Sequence, residues 1–174
     1  MNTRLFVFLF SVVIFSMQAQ HQSESNLKEL NLVWSKFYMA FDSLDYSKMA
    51  EIHSKKLIRI SGEQKITDYE NYISNYKKRF KKAREEQVTN KIALRFFERI
   101  QNDSVASERG IYKLVRTDKN QNSKAYYGQF HVLFIKEHKE WKILMDYDSN
   151  EKNTIGEASF QNAKSIEDFK SFIK

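Results

Sequence analysis

The strongest constraint on the fold is a pair of aromatic-rich segments near the end of the chain, residues 125–135 and 140–148. Both are rich in β-branched and aromatic residues, and the short polar turn between them is typical of a β-hairpin. The hairpin follows a first half whose pattern is mainly helical. This order predicts an α+β protein with a curved antiparallel sheet, about four long strands plus a short one. We expect the sheet to wrap around a long N-terminal helix, with two shorter helices, and to enclose a pocket.

The helical half is predicted from apolar residues that recur at spacings of three and four. The stripe that predicts the long first helix consists of Leu27, Leu30, Trp34, Phe37, Phe41 and Leu44. Met49, Ile52 and His53 indicate a second, shorter helix. Thr67 and Glu70 have the spacing of a capping box, which predicts the start of a third helix.

The second half has the pattern of extended strands. Residues 57–61 predict a short strand, and residues 91–100 and 105–116 predict two long strands ahead of the hairpin. Gly110 and Gly128 lie inside strand patterns, where glycine commonly marks a bulge or a bend. Bulges increase the local twist of a sheet, so these positions are expected to help it curve.

The first 19 residues have the pattern of a secretory signal peptide. One cation, Arg4, precedes about eleven mostly apolar residues, and the small residue Ala19 fits a cleavage site. The alternative interpretation is a first core helix. A bilayer span needs about twenty apolar residues, so the run is short for a membrane helix. We expect cleavage near Ala19, export to the periplasm or the medium, and no membrane insertion afterwards. The expected organisation is then a flexible segment 20–26, one domain over 27–150 and a tail over 151–174 with a short helix in residues 165–173.

Composition excludes several classes of site. The chain has no cysteine, which excludes disulfides and zinc sites built on thiolates. Its four histidines lack metal-ligand spacing, and four glycines in all leave no phosphate-binding loop. We therefore expect no cofactor and no metal. The net charge is +7, but the densest basic run, residues 77–84, wraps around most of a helix. It is interpreted as a solvated helix end, and no nucleic-acid partner is expected.

The order of elements resembles the nuclear transport factor 2-like superfamily, which includes SnoaL-like and ketosteroid isomerase-like proteins. The resemblance is carried by the acidic turn between two helices in residues 40–53, by residues 107–112, and by the closing segments 127–130 and 141–146. Together these cover roughly residues 27–150. The resemblance implies a cystatin-like cone with a pocket between the first helix and the concave face of the sheet.

Isomerases of this group use a carboxylate base and a tyrosine hydroxyl in an apolar cavity. In this chain the tyrosine position falls at Phe37, with Tyr38 beside it, and the base position falls near Ile60. The segment around Ile60 has no carboxylate. Because the reaction needs that proton acceptor, the isomerase activity is not expected.

Two aspartates near the end of the hairpin are the main candidates for chemistry. Asp146 and Asp148 alternate along a strand, so they share one face. They are candidates for an acid/base pair or for acceptors of a ligand amine, because neighbouring carboxylates shift each other's pKa. The alternative is a strand end with solvated acids, paired with Arg95 or Arg109. His131 is either a third catalytic candidate or a hydrogen-bonded wall residue.

The leading functional hypothesis is an exported pocket protein that binds a small apolar or aromatic molecule. The predicted ligand-binding residues are Trp34, Tyr38, Tyr112, Tyr127, His131 and Asp146. One alternative is a lyase, isomerase or hydrolase that uses Asp146, His131, Asp148 and a tyrosine. Another is a homodimerising interaction module with Phe130, Val132 and Phe134 in an apolar patch on the outer sheet face.

Overall fold

A computed structural model of the chain describes residues 3–62 and 65–173, with side chains from His21 onward. The elements in chain order are α1 (Thr3–Asp42), α2 (Tyr46–Ile52), β1 (His53–Ser61), β2 (Lys65–Thr67), α3 (Tyr69–Glu85), β3 (Thr89–Gln101), β4 (Val105–Thr117), β5 (Ser123–Glu137), β6 (Glu140–Ser149) and α4 (Glu157–Asn162), followed by a 3-10 turn at Phe169–Ser171. A long helix packed on a six-stranded curved sheet confirms the predicted α+β class.

The predicted signal peptide falls on residues 1–19, whose side chains lie outside the described part of the chain. Cleavage near Ala19 and export therefore stay predictions. No helix in the part of the chain that the structure describes is both long enough and apolar enough to cross a bilayer.

The sheet has the strand order β2-β1-β6-β5-β4-β3. The four long strands β3 to β6 are antiparallel neighbours, as the sequence predicts. Strand β1 instead joins β6 in parallel, with Ile58 opposite Met145 and Ile60 opposite Tyr147. The short strand β2, which the sequence did not indicate, pairs with the outer edge of β1. The parallel pair places the middle of β1 beside the end of the hairpin, and this juxtaposition builds the site described below.

Two irregularities bend the long strands. The β3–β4 register shifts between Phe96 and Glu98, and the β5–β6 register shifts between Leu133 and Phe134. Gly110 lies opposite Phe96, where a Cβ atom would stand 2.0 Å from the Arg95 carbonyl oxygen. Only glycine permits this approach of two backbones, so the predicted bend at Gly110 is confirmed.

The N-cap of helix α3 lies one residue later than predicted. The Asp68 carboxylate accepts a hydrogen bond of 2.9 Å from the backbone N–H of Asn71, so Asp68 is the N-cap. Thr67 is the last residue of β2. The predicted capping box at Thr67 and Glu70 is therefore wrong, because the neighbouring aspartate is an equally good cap and takes the position.

Trp34 of α1 is the centre of the core. It is 2% exposed, and its ring lies 5.5 Å from that of Phe134 and 5.7 Å from that of Phe130. Phe130, Val132 and Phe134 therefore face inward, and the prediction that they form an outer patch is wrong. Period-two alternation identifies residues that share a face. It does not say which face is inward when both faces carry apolar residues, as β5 does.

A buried ion pair fixes the sheet to α1. Arg99 Nε donates to Glu108 Oε1 at 2.7 Å, and both side chains are fully buried. The indole N–H of Trp34 donates to the other oxygen of Glu108 at 2.5 Å. Burial raises the pKa of Glu108, while the Arg99 charge acts against that rise. The pair lies behind Trp34 rather than on the surface, so it belongs to the core.

The C-terminal segment packs on the same domain. Lys164 forms two backbone hydrogen bonds of 2.8 Å with Phe96 at the free edge of β3. Phe160 of α4 is buried, and the Ile166 carbonyl accepts from Arg99 at 3.0 Å. Helix α4 precedes the predicted helical segment 165–173, in which the structure has only the 3-10 turn.

Candidate functional site

A cavity of about 110 Å³ lies between α1, α3 and the inner face of the sheet. Seven aromatic rings line it, and five aliphatic side chains of the sheet complete its apolar wall. The aromatic residues are Trp34, Phe37, Phe41, Tyr72, Tyr76, Tyr112 and Phe130. For scale, a dry apolar cavity of about 150 Å³ holds one benzene molecule. The space in this protein is somewhat smaller, so it suits a molecule of at most one ring.

One end of the cavity is polar, and the β1–β6 pair creates it. The parallel register sets Arg59 opposite Asp146, with Asp148 two residues further along the same face. Arg59 Nη2 forms an ion pair with Asp148, and its Nε lies 3.6 Å from Asp146 Oδ2. Its Nη1 donates to the carbonyls of Ile60 at 2.6 Å and Asp146 at 3.0 Å. Arg59 is thereby held by the protein itself.

Helix α3 supplies the hydroxyl groups of this end. The Tyr72 hydroxyl donates to Asp146 Oδ2 at 2.7 Å, and the ring of Tyr76 packs edge-on against Tyr72 at 5.0 Å. Burial raises the pKa of both tyrosines, and the Asp146 charge raises that of Tyr72 further. Tyr112 reaches in from β4, and burial raises its pKa to about 12. All three are therefore neutral hydroxyl groups at neutral pH.

The glycine opposite Tyr112 makes room for that ring. A Cβ atom on Gly128 would lie 2.7 Å from the Tyr112 ring carbons and hydroxyl oxygen. The predicted bend at Gly128 is better described as close packing of a ring over bare backbone.

The charges at the polar end do not balance. Burial by itself would lower the pKa of Arg59, but the carboxylates of Asp146 and Asp148 outweigh it and raise that pKa, so the guanidinium is permanently charged. Two carboxylates therefore face one partly buried cation. Arg79 of α3 also lines the cavity, but it is exposed, with its guanidinium 5.5 Å from the centre of the Tyr76 ring.

A histidine is buried behind Tyr72. His53 Nδ1 bonds the Met49 carbonyl at 2.6 Å, which requires that this nitrogen carry the proton. His53 Nε2 is fully buried and has no hydrogen-bond partner among the described residues. Burial lowers the pKa of His53, and the Asp146 charge opposes that shift. The ring centre is 5.1 Å from that of Tyr72, so His53 supports the tyrosine that contacts Asp146.

The predicted site residues divide between two faces of the sheet. Trp34, Tyr112, Asp146 and Asp148 all line the cavity. Tyr38 packs beside it against the core, with its pKa raised to about 12 by burial.

Tyr127 and His131 lie on the outer face. Tyr127 donates to Glu157 of α4, and His131 Nε2 shares a hydrogen bond of 2.9 Å with Ser107. Strand alternation explains the separation, because cross-strand partners share a face of the sheet. Val132 and Asp146 are partners on the inner face, and His131 and Tyr147 are partners on the outer face. His131 and Asp146 therefore do not converge on one cavity.

Arg59, Tyr72 and Arg79 were not among the predicted site residues. Arg59 had a detectable signal, since a charged residue between Ile58 and Ile60 in a short strand must be paired if its face is buried. Tyr72 follows the predicted start of the third helix, and its contact with Asp146 was not predicted. At the position where isomerases of the resembled group carry a base, Ile60 points outward and its neighbour Arg59 points into the cavity. No three acidic or histidine side chains among the described residues are grouped as a metal site requires.

Solved structures with this fold support the predicted resemblance. An NTF2-like protein with a cystatin-like fold from Novosphingobium aromaticivorans matches with a TM-score of 0.63 and 9% identity, over 82% of this chain and 92% of that one. An NTF2-like protein of unknown function from Shewanella oneidensis matches at 0.58 and 18%, over 70% and 97%. A ketosteroid isomerase-like protein from Erwinia carotovora atroseptica matches at 0.55 and 15%, over 71% and 94%.

These matches define the fold as NTF2-like and cystatin-like, as predicted. No protein-family model matches the sequence, and no curated protein matches it. At such low identity the likeness establishes the fold alone, so function has to be argued from the cavity.

Proposed function

We propose that this protein binds a small molecule of about one aromatic ring in the central cavity. The observation that carries the proposal is the combination of an aromatic wall with a fixed polar end inside one small enclosure. Ligand sites are typically apolar clefts with a few well-placed polar groups that set orientation. Here Tyr72, Arg59, Asp146 and Asp148 are the orienting groups, and each is held by contacts to its neighbours.

An acid/base enzyme is the less supported alternative. It was expected to use Asp146 together with His131, but His131 lies on the outer face of the sheet. The remaining cavity groups are tied to one another, since Asp148 pairs with Arg59 and Asp146 accepts from Tyr72. This arrangement suits orientation of a bound molecule better than transfer of a proton through a free base.

Calorimetric titration with benzyl alcohol tests the binding proposal. We expect saturable binding to the unmodified protein and loss of binding in Leu114→Trp, which fills the cavity from its wall. The matched control is Met145→Trp, which places the same ring on the outer face and should leave binding unchanged. Equal binding by both variants, or no binding to the unmodified protein, would contradict the proposal.

The outer face favours a second function, self-association. Ile58, Met145, Leu133, Ser107 and Ile100 are consecutive cross-strand partners, and they form one continuous row across five strands. Ile58 is 48% and Ile100 58% exposed. Four of the five residues are apolar and the two end residues are exposed, a pattern that is consistent with an interaction surface.

Sedimentation velocity tests this second candidate. A homodimer that dissociates in Met145→Lys but persists in Leu32→Lys, a change on the exposed face of α1, would support it. A monomer at every concentration would exclude it.

A further inference from the structure

The polar end of the cavity has more acceptors than donors. An ionised carboxylate accepts about four hydrogen bonds, so Asp146 and Asp148 together accept about eight. Two hydrogen bonds from described side chains reach them: the Tyr72 hydroxyl donates to Asp146, and Arg59 Nη2 donates to Asp148. A ligand group that completes this end must therefore be a donor.

Arg59 is not available to recognise an anion. Its Nη1 serves two backbone carbonyls, its Nη2 serves Asp148, and its Nε faces Asp146. The partly buried charges of Arg59, Asp146 and Asp148 then sum to one excess negative charge, and partial burial weakens the screening of that charge by water. A carboxylate ligand would meet two carboxylates there, whereas a cation would meet a complementary charge.

The aromatic wall favours the same kind of ligand. The rings of Tyr72, Tyr76 and Tyr112 line the same cavity as the two aspartates, and the Tyr72 hydroxyl contacts Asp146 directly. The face of an aromatic ring attracts a cation, and desolvation strengthens that attraction. An ammonium group has three donors and no acceptor, which matches the surplus of acceptors.

We propose that the natural ligand is an organic amine, a protonated ammonium group on an apolar or single-ring body. The ammonium group lies on the cavity side of Asp146 and Asp148, beside Arg59, and the apolar body lies against Trp34, Phe37 and Phe130. This inference rests on the proposed binding function and adds the chemical class of the ligand.

The exposed Arg79 defines the rival arrangement. In that arrangement Arg79 would hold an anionic group of the ligand at the rim, and the ligand's ring would pack against the same aromatic wall. The ligand would then be an anion rather than a cation. The test therefore compares three probes that share a benzyl group and differ in charge: benzylamine, benzyl alcohol and phenylacetate. All three are titrated calorimetrically into the intact protein at pH 7.

We expect benzylamine to bind about tenfold more tightly than benzyl alcohol, and phenylacetate to bind more weakly than either. In Asp146→Asn and in Asp148→Asn, which keep the shape and remove one charge, the preference for the amine should fall to about one. Asp103→Asn, the same change on an exposed turn, should keep the full preference. Circular dichroism checks that each variant is folded. If one of the two cavity variants does not fold, the other still tests the proposal.

The outcomes separate the two proposals. Equal affinity for the three probes, or tightest binding of phenylacetate, would overturn the amine assignment while the cavity remains a binding site. No binding of any probe would overturn both. An amine preference that survives both cavity substitutions would place the cation elsewhere and also overturn the assignment.

Discussion

The Tyr72 hydroxyl donates a hydrogen bond of 2.7 Å to Asp146, and this bond joins α3 to β6 across the polar end of the cavity. Tyr72 is buried, and Asp146 also faces the guanidinium of Arg59. The contact therefore links a helix, two strands and the candidate site. Its strength can be measured apart from any ligand.

Removal of this hydroxyl should destabilise the fold. Hydrogen bonds to charged groups contribute about 1.5–3 kcal/mol, and neutral ones about 0.5–1.5 kcal/mol. We expect Tyr72→Phe to lose stability in the first range. Tyr69→Phe, which removes a bond of 3.1 Å to the Ala50 carbonyl from the same helix, should lose stability in the second range. Urea unfolding measures both, and equal losses would contradict a charge-assisted bond at Tyr72.

The buried ion pair behind Trp34 should be far more sensitive than an exposed one. Loss of one partner of a buried pair costs about 3–5 kcal/mol, because the other charge is left without compensation. Glu108→Ala leaves the buried charge of Arg99 without its partner carboxylate, and it also removes the acceptor of the Trp34 indole N–H. We expect a loss in that range for this variant.

The matched control for the ion pair is Glu98→Ala. Glu98 pairs with Arg109 at 2.9 Å on the surface, where such pairs contribute about 0.2–1 kcal/mol. Denaturant unfolding of both variants gives the comparison. A loss below 1 kcal/mol for Glu108→Ala would contradict the buried position of the pair.

His53 should make stability depend on pH. Burial lowers its folded-state pKa below the value of 6.5 that it has when exposed. Between these two pKa values the unfolded chain binds the proton and the folded chain does not, so stability falls as pH falls through 6.5 and levels off below the folded-state pKa. His53→Asn keeps a donor for the Met49 carbonyl but cannot titrate.

We expect the urea midpoint of the unmodified protein to drop between pH 7.5 and pH 5, and His53→Asn to drop less. His138→Asn, a change at an exposed turn, serves as the control and should retain the full drop. Identical drops in the two variants would show that His53 does not carry this dependence.

Export can be tested by expression of the full chain with a C-terminal tag. If residues 1–19 are a signal peptide, the N-terminal sequence of the mature protein should begin at Gln20 and the protein should leave the cytoplasm. Replacement of Ala19 by a bulky charged residue should block processing. A full-length cytoplasmic product from the unmodified gene would contradict the prediction.

The fold was largely predictable, because its elements depend on local periodicity. The stripe from Leu27 to Leu44 and the extended runs after Arg84 each extend over many residues. The faces of the strands were not predictable in the same way. Alternation along β5 correctly places Phe130, Val132 and Phe134 on one face of the sheet and His131 on the other. Which of the two faces is inward is decided only by the packing of Trp34 against Phe130 and Phe134.

The candidate site was predictable only where it depends on local periodicity. Asp146 and Asp148 were grouped by their spacing within one strand. Arg59 joins them through a parallel pairing between residues almost ninety positions apart, and Tyr72 joins them through the packing of α3. Neither contact leaves a local pattern in the sequence.

The most direct test of the binding proposal is the fluorescence of Trp34, whose ring lines the cavity. In a Trp141→Phe protein it is the sole tryptophan, and Trp141 lies outside the cavity beside Glu29. We predict that benzyl alcohol changes this emission along a saturating curve whose midpoint agrees with calorimetry. A strictly linear change, or none, would mean that the ring does not contact the ligand and would contradict the proposal.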